Sequence, residues 1–408
     1  MRPLFPPPAC ADPAGRPKAK GKSTIRILTV NGGLHLQRQR WYSREGGSLI
    51  PVDAELGNGK MTVGVREMVC RLGTHTNSFR MAAEDLCALA QLEVSHETVR
   101  HMVEQEGQAV ERVRPELPPA WRAEDCQTDS GTMRMYLGCD GVMVPLITDA
   151  EKAKRREKVE HKRQERVDRF NLQGCTFRPL PPRRQGTDQS FKEMKLVKYY
   201  DDGNAHTHVC VTMLNHRMAQ VLMSRSGRHL ALHRADEKIA NIDGAEWIRN
   251  RVEDAELNLD AVGLDFYHLS EHIHAAGRAV YGEGDEQGKQ WVGDILHTVK
   301  HEGFDAAWEK LVATRQKLRS PTKRKALDKL MQYMSARQSM IQYPMFLEKG
   351  WQIGSGPTEG ACRTIPDRLK GRGRRWDSPN AQAMANLTAL RESGQWQTYW
   401  NQARAPAA

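Results

Sequence analysis

Three acidic residues lie where a carboxylate could take part in chemistry: Asp140, Asp265 and Glu359. Glu359 ends the run Gly-Ser-Gly-Pro-Thr-Glu, which predicts the start of a helix because Pro357 suits a first turn. The positive end of the helix dipole favours an acid there, so a purely structural role for Glu359 is the alternative. A basic segment follows, which instead points to a carboxylate beside a nucleic-acid backbone.

Asp140 is predicted to lie at the end of a strand. Residues 133–142 alternate with the two-residue period of a strand, with Met135 and Leu137 on one face and Asp140 on the other. Asp-Gly is also a common hairpin-turn dipeptide, so a turn at Asp140-Gly141 without chemistry is the alternative.

Asp265 follows a second predicted strand. The short apolar run Ala261 to Leu264 is typical of a buried strand, and a helical pattern begins directly after Asp265. His268 and His272 are four residues apart on that helix and could bind a transition metal together with Asp265. Histidines in such a place more often pack or hydrogen-bond, which is the alternative.

The chain carries a surplus of positive charge, with 61 Lys and Arg against 50 Asp and Glu and a formal net charge of +11. This balance favours a polyanionic partner. Two segments concentrate basic residues: 151–169, which predicts a solvated helix, and 363–375, in which arginines stand among glycines. The candidate contacts to DNA phosphates are Lys154, Arg155, Arg156, Arg363, Arg368, Lys370, Arg372, Arg374 and Arg375.

The composition indicates an intracellular protein. The eight cysteines of the 408 residues are scattered, and they include no Cys-x-x-Cys pair of the kind found in zinc ribbons. They are therefore predicted to be reduced thiols. No run of about 18 apolar residues occurs, so no membrane partner is expected.

The remaining pattern predicts an N-terminal hairpin followed by helices. Residues 1–24 have the Pro-, Gly- and Lys-rich composition of a tail, and Asn31-Gly32-Gly33 interrupts a strand pattern as a hairpin turn does. Helices are predicted at Phe79 to Gln91 and Ser95 to Gly107, as a helix-turn-helix or an ordinary helical hairpin. Residues 281–344 predict a helical block without a chemical motif.

The order of the predicted elements is informative. Three strands (133–142, 193–200 and 206–213) are followed by a helix and then by the strand at 261–264. Acids thus stand on the first and fourth predicted strands and on a later helix, an order found in the RNase H-like nucleotidyl-transfer fold.

Three motifs carry a resemblance to a known family. The chain resembles the DDE transposases of bacterial insertion sequences, most closely the ISKra-type family, over about residues 24–400. The motifs are Tyr-Leu-Gly-Cys-Asp-Gly-Val-Met-Val-Pro (136–145), Leu-Asp-Phe-Tyr-His-Leu (264–269), and Gly-Ser-Gly-Pro-Thr-Glu (354–359) with Lys-Gly-Arg-Gly after it. Gly360 and Pro366 depart from the continuous helix of the family, so the element after Glu359 is expected to be kinked or shortened.

The resemblance implies an α/β fold with an RNase H-like catalytic core, in which a mixed sheet is flanked by helices. It also implies a helical insertion and an N-terminal β-hairpin plus helical DNA-binding region. The implied division is a tail (1–24), a DNA-binding region (25–120), the core (121–280 and 345–393), the insertion (281–344) and a second tail (394–408).

The resemblance further implies metal-dependent cleavage and strand transfer at the ends of an insertion sequence. Asp140, Asp265 and Glu359 would bind two Mg²⁺ or Mn²⁺ ions, which prefer oxygen ligands and lie about 4 Å apart in such sites. The implied partner is double-stranded DNA, as terminal inverted repeats and target, bound by a homo-oligomer at the cytoplasmic nucleoid.

Two other functions fit the same residues. One is a non-catalytic DNA-binding protein, such as a decayed transposase, and the other is an RNase H-like nuclease without strand transfer. Cleavage in Mg²⁺ would exclude the first, and the products of cleavage would distinguish the second.

Overall fold

The protein is described by a computed structural model that covers residues 18–43, 47–49, 60–171, 190–371 and 374–404, with the backbone alone at 43, 47–49, 155 and 165–171. Strands β1 to β8 are Lys18–Thr29, Gly32–Ser43, Gly47–Leu49, Arg134–Leu146, Ser190–Asp201, Thr207–Thr212, Glu237–Ile242 and Ala261–Leu264. Helices α1 to α15 are Val63–His75, Phe79–Ala90, His96–Val113, Asp149–Asn171, His216–His229, Glu246–Asp254, Phe266–Tyr281, Glu286–His301, Phe304–Lys317, Pro321–Ser335, Tyr343–Glu348, Gly356–Thr364, Asp367–Lys370, Ser378–Glu392 and Trp396–Arg404.

The chain divides into two compact units. The first contains the residues up to Pro118, together with Asn386–Arg391 and the residues from Gln395 onward. The second contains Pro119–Ala385 and Glu392–Gly394. No helix in the described part of the chain is long and apolar enough to cross a bilayer.

The first unit begins with the predicted hairpin. Strands β1 and β2 pair antiparallel, with Thr29 opposite Gly32, and Gly32 takes the positive φ of 103° that favours glycine. The hairpin prediction is therefore confirmed. The predicted tail is too long, because residues 18–24 already belong to β1; residues 1–17 lie outside the described residues.

The predicted helix pair is also present, as α2 and α3. Ser95 caps α3, since its hydroxyl oxygen accepts the Thr98 N–H at 3.2 Å. The predicted C-terminal tail is wrong over α15, where Trp396, Tyr399 and Trp400 fall on one helical face and Trp400 is fully buried. Within this unit the Tyr399 hydroxyl donates to the buried Glu106 carboxylate at 2.9 Å.

The second unit is built on a five-stranded mixed sheet with the order β6-β5-β4-β7-β8. Strands β4, β5 and β6 pair antiparallel, whereas β4, β7 and β8 run parallel. Helices flank this sheet, so the prediction of a mixed sheet flanked by helices is confirmed. The three parallel strands bring their carboxyl ends to the same edge.

Strand β4 differs from the sequence prediction. It continues through residue 140 to Leu146, so Asp140 lies within the strand and Asp140-Gly141 is not a turn. The physical reason is pairing with β5 along the whole strand, which outweighs the local turn preference. Gly141 also leaves room for Glu193 on β5, whose carboxylate oxygen would lie 2.1 Å from an added Cβ.

The two faces of the sheet pack into separate cores. On one face Leu137 and Ala240 join a large core that continues into α8, α9 and α10, so the predicted helical insertion shares the core of the sheet. On the other face Tyr136 stacks on Tyr200, with ring centroids 5.3 Å apart, beside Trp351. Asp140 lies on this second face, because it is an even number of residues from Tyr136.

Candidate active site

Three aspartates form a row across the parallel strands. The pairing of β4 with β7, continued three residues beyond its last pair, sets Asp140 opposite Asp243. The pairing of β7 with β8, continued by one residue, sets Asp243 opposite Asp265. Neighbouring strands lie about 4.8 Å apart, so the row brings three carboxylates to one edge of the sheet.

The row below the aspartates leaves space for the chain that carries Glu359. It consists of Gly138, Asn241 and Gly263 on the same face. The Asn241 amide donates to the Gln352 carbonyl at 2.9 Å, so the segment before α12 lies against the sheet. A Cβ at Gly138 would lie 1.8 Å from the Thr358 hydroxyl oxygen, which means that α12 reaches the backbone of β4.

Asp140 lies half-buried next to this helix. Its Oδ1 accepts the Gly141 N–H at 2.6 Å, and it forms a further hydrogen bond with the Cys362 thiol of α12. Burial raises the pKa of Asp140, and the charges of Asp243 and Glu359 raise it further. The charged form of Asp140 is therefore disfavoured by both of these carboxylates.

Asp265 is held differently. It is 1% exposed and caps α7, with Oδ1 accepting the His268 N–H at 2.8 Å. Its Oδ2 accepts the N–H of Ser355, the residue before α12. Both oxygens therefore bind backbone amides, and Asp265 connects the start of α7 with the start of α12.

The two histidines of α7 do not meet at a common ligand. His268 Nε2 lies 3.3 Å from Glu359 Oε1. Burial alone would lower the pKa of His268, but the nearby carboxylates of Asp265, Asp243 and Glu359 raise it overall. His272 instead stacks on Tyr333, with ring centroids 3.7 Å apart. It therefore has a packing role and not the metal-binding role.

Asp243 was missed because its strand was not predicted. The predicted order passes from a helix directly to the strand at 261–264, whereas Glu237–Ile242 is the fourth strand of the sheet and Ala261–Leu264 the fifth. The signal was present as the short, mainly apolar run Ile-Ala-Asn-Ile directly before Asp243, the same kind of run that placed Asp265 after a strand. Asp243 Oδ1 accepts the Ala245 N–H at 2.8 Å.

The carboxylates are neighbours without forming a closed ligand cage. Within the described ranges, no group of three or more His, Cys, Asp or Glu side chains is arranged to hold a metal ion. Of the predicted residues, Asp140 and Glu359 interact electrostatically, and Asp265 lies in the same row with its oxygens bound to amides. The expected interruption after Glu359 is confirmed, since α12 ends at Thr364 and α13 begins after Pro366.

Residues 14–179 match the model of an uncharacterised protein family (UPF0236). No match is found among the curated proteins. The matched stretch includes the first unit's hairpin and the whole of β4 with Asp140, and it ends before Asp243, Asp265 and Glu359.

Some of the predicted phosphate contacts are available on the surface. The exposed ones are Lys154, Arg156, Arg363 and Lys370. The Arg155 side chain and Arg372 lie outside the described residues. The exposed group therefore belongs to α4 and to the region around α12 and α13.

The other predicted contacts hold the structure together. Arg368 is buried, with its guanidinium 5.4 Å from the centre of the Trp376 ring, and burial lowers its pKa to about 10. Arg374 donates to the Arg368 carbonyl at 3.0 Å. Arg375 forms an ion pair with Glu151 at 2.8 Å, which joins α4 to this segment. The sequence did not show the contact with Glu151, because 224 residues separate it from Arg375.

The two amide contacts of Asp265 lead to a stability prediction. Asp265→Asn should lower the free energy of unfolding by roughly 2–3 kcal/mol, because asparagine keeps one acceptor oxygen and turns its NH₂ toward a buried amide N–H. Urea unfolding followed by circular dichroism measures the change. The control is Asp285→Asn, at an exposed cap of α8 with a single bond to the Gly288 N–H, where asparagine caps equally well. Equal small losses in both variants would contradict the structural role of Asp265.

Proposed function

We propose that the protein is a DNA transposase that cleaves DNA and transfers strands at the ends of an insertion sequence, on an RNase H-like core. The observation that carries the proposal is the grouping of three acids at the edge of a mixed sheet: the strand register sets Asp140 opposite Asp243, and α12, which lies against β4 at Gly138, carries Glu359. The charges of Asp243 and Glu359 both act on Asp140. Such grouping is unfavourable in the absence of a cation, so it is expected where a cation has a function.

The order of the elements supports this proposal. Strands β4, β5 and β6 precede a helix and the parallel strand β7, and α12 follows much later in the chain. The RNase H-like order described above has acids on the first and fourth strands and on a later helix, which here would be α12. The acid after the fourth strand is Asp243, so we assign Asp140, Asp243 and Glu359 to the reaction and give Asp265 a positioning role.

The chemistry of the donor set fits a hard divalent cation. All three side chains offer carboxylate oxygens, the ligands that Mg²⁺ and Mn²⁺ prefer. Asp140, Asp243 and Glu359 would hold the cation, and two such ions would activate the attacking oxygen and stabilise the leaving oxygen of a phosphodiester.

The neighbouring residues would orient these carboxylates. His268 contacts the Glu359 carboxylate at 3.3 Å and would fix its direction. Asp265 fixes the Ser355 amide, so the first turn of α12 keeps its place. Gly138 allows α12 to lie against β4 and so brings Glu359 toward Asp140.

The proposed partner is double-stranded DNA, as the terminal repeats of the element and as target, in the cytoplasm at the nucleoid. The exposed residues Lys154, Arg156, Arg363 and Lys370 suit phosphate contacts. A homo-oligomer assembled on DNA would present one site to each element end.

A cleavage assay tests the proposal. The purified protein is incubated with plasmid DNA that carries the regions flanking its own gene, in Mg²⁺ or in EDTA, and the products are sequenced. We expect cuts at inverted repeats and joined products in Mg²⁺ only. Glu359→Gln should bind the same DNA without cutting it, whereas Glu348→Gln, an exposed acid at the end of α11, should cut normally.

The other outcomes separate the alternative functions. Binding without any cleavage by the parental protein would indicate a non-catalytic DNA-binding protein. Cuts without joined products would indicate a nuclease. A Glu359→Gln protein that cuts near the parental rate would remove Glu359 from the site.

A further inference from the structure

The β1–β2 hairpin is strongly basic. Between residues 18 and 43 the chain contains no Asp or Glu. The six basic residues of this stretch are Lys18, Lys20, Lys22, Arg26, Arg38 and Arg40. A stretch of this composition attracts a polyanion.

The register of the hairpin separates a polar face from an apolar face. Directly paired residues share a face, and the apolar pairs include Ile25 with Leu36 and the buried Ile27 with Leu34. Three successive alternate pairs are polar: Lys22 with Gln39, Thr24 with Gln37, and Arg26 with His35. All six of these polar side chains are exposed except Gln39, which is partly buried. The polar face ends at the next pair, Leu28 with Gly33, and Ser23 with Arg38 lies on the other face.

Protection of a sheet edge does not explain this face. Lysines and the irregularity between Ala19 and Lys22 are typical of an edge strand that avoids pairing with another chain. This face, however, carries side chains that project perpendicular to the hairpin and not from its edge: Thr24, Arg26 and Gln37. An open cavity of about 520 Å³ lies beside β1. Its lining includes Arg26 and a further basic residue, Lys60, and its acidic residue is Glu93.

The helix pair offers a weaker surface for DNA. On α3, Arg100 forms ion pairs with Glu97 at 2.7 Å and with Glu104 at 3.3 Å. Its charge is therefore already compensated, and those acids would repel phosphates. Neither Lys22 nor Arg26 has a carboxylate partner among the described residues.

We propose that the polar face of the hairpin, defined by Lys22, Thr24, Arg26, His35, Gln37 and Gln39, binds duplex DNA as a two-stranded ribbon. The major groove is wide enough for such a ribbon. Lys22 and Arg26 contact phosphates, while the amides and hydroxyl of the central pairs face base edges. The inference deepens the proposed function and rests on it, because it names the surface that holds the DNA.

A salt titration of binding tests the inference in the full-length protein. A fluorescein-labelled 30-base-pair duplex is titrated in EDTA, by anisotropy, at several NaCl concentrations. In Lys22→Gln/Arg26→Gln, loss of two phosphate contacts should flatten the slope of log K against log salt by about 1.8. The control is Lys323→Gln/Lys325→Gln, which removes the same charge from exposed positions on α10 and should leave the slope unchanged.

Each other result has its own meaning. An unchanged slope in the hairpin variant, or equal changes in both variants, overturns the inference and leaves the proposed function standing. If single-stranded DNA of equal length binds as tightly as the duplex, and the hairpin variant weakens both equally, the assignment of duplex DNA as the ligand is overturned. A parental protein that binds no DNA removes the proposed function itself.

Discussion

Asp243→Asn should reduce DNA cleavage by roughly 10³-fold or more, as loss of one member of a catalytic set does. Asparagine keeps the volume of aspartate, and its carbonyl oxygen can still accept the Ala245 N–H that Asp243 accepts at 2.8 Å. The negative charge is the property that is lost. The variant should therefore fold and bind DNA, and the cleavage rate in Mg²⁺ measures the effect.

Two comparisons make this result specific. Glu246→Gln removes an exposed acid three residues further on, in the first turn of α6, and should cleave at the parental rate. Asp265→Asn should lose stability first, because its carboxylate binds two backbone amides. Near-parental cleavage by Asp243→Asn would contradict the assignment of the acid after the fourth strand. The catalytic assignment would then return to Asp265.

Gly138→Ala should disrupt the site by displacing α12, the helix that carries Glu359. The added methyl carbon would lie 1.8 Å from the Thr358 hydroxyl oxygen and 2.9 Å from the Thr358 Cβ, so α12 must move away from β4. Overpacking of this kind costs about 1–3 kcal/mol of unfolding free energy. Glu359 would move with the helix, so cleavage should fall more steeply than stability. Thermal unfolding and cleavage rate are measured together.

The control for this substitution lies on α12, the helix that Gly138→Ala should displace. An added Cβ at Gly360 meets no atom within 4 Å, and alanine favours a helix over glycine by about 1 kcal/mol. Gly360→Ala should therefore be neutral or stabilising. Thr358→Ala should partly restore cleavage to Gly138→Ala, because it removes the hydroxyl oxygen at 1.8 Å and the methyl carbon at 3.1 Å and leaves only the Cβ at 2.9 Å. Equal behaviour of the two alanine variants would show that α12 does not depend on contact with β4.

Much of the fold could be predicted because its signals are local. The Asn31-Gly32-Gly33 turn, the Ser95 cap and the apolar run at Ala261–Leu264 each depend on a few adjacent residues, and the structure contains all three elements. Asp140 was placed on the correct face of its strand for the same reason. These predictions needed only adjacent residue types and the periods of strands and helices.

The parts that could not be predicted depend on distant partners. The length of β4 comes from its pairing with β5, about 55 residues further on, and this pairing outweighs the turn preference of Asp140-Gly141. Arg368 was predicted to contact DNA, but its side chain is buried with the guanidinium over Trp376, and the local residue pattern does not reveal burial of an arginine. The strand before Asp243 is recognisable mainly because two neighbours enclose it.

The contacts of Asp265 have a further consequence for how this chain could vary. The Phe266 N–H donates to the Ile353 carbonyl at 2.9 Å, and the Ser355 N–H donates to Asp265, so the start of α7 and the start of α12 meet at one point. The chain between them contains helices α7 to α11, and both of its ends are held at this point. Closing a flexible loop costs only about 0.6 kcal/mol more for each doubling of its length. Exposed connections such as Gly282–Asp285 could therefore accept extra residues while Glu359 keeps its position relative to the sheet.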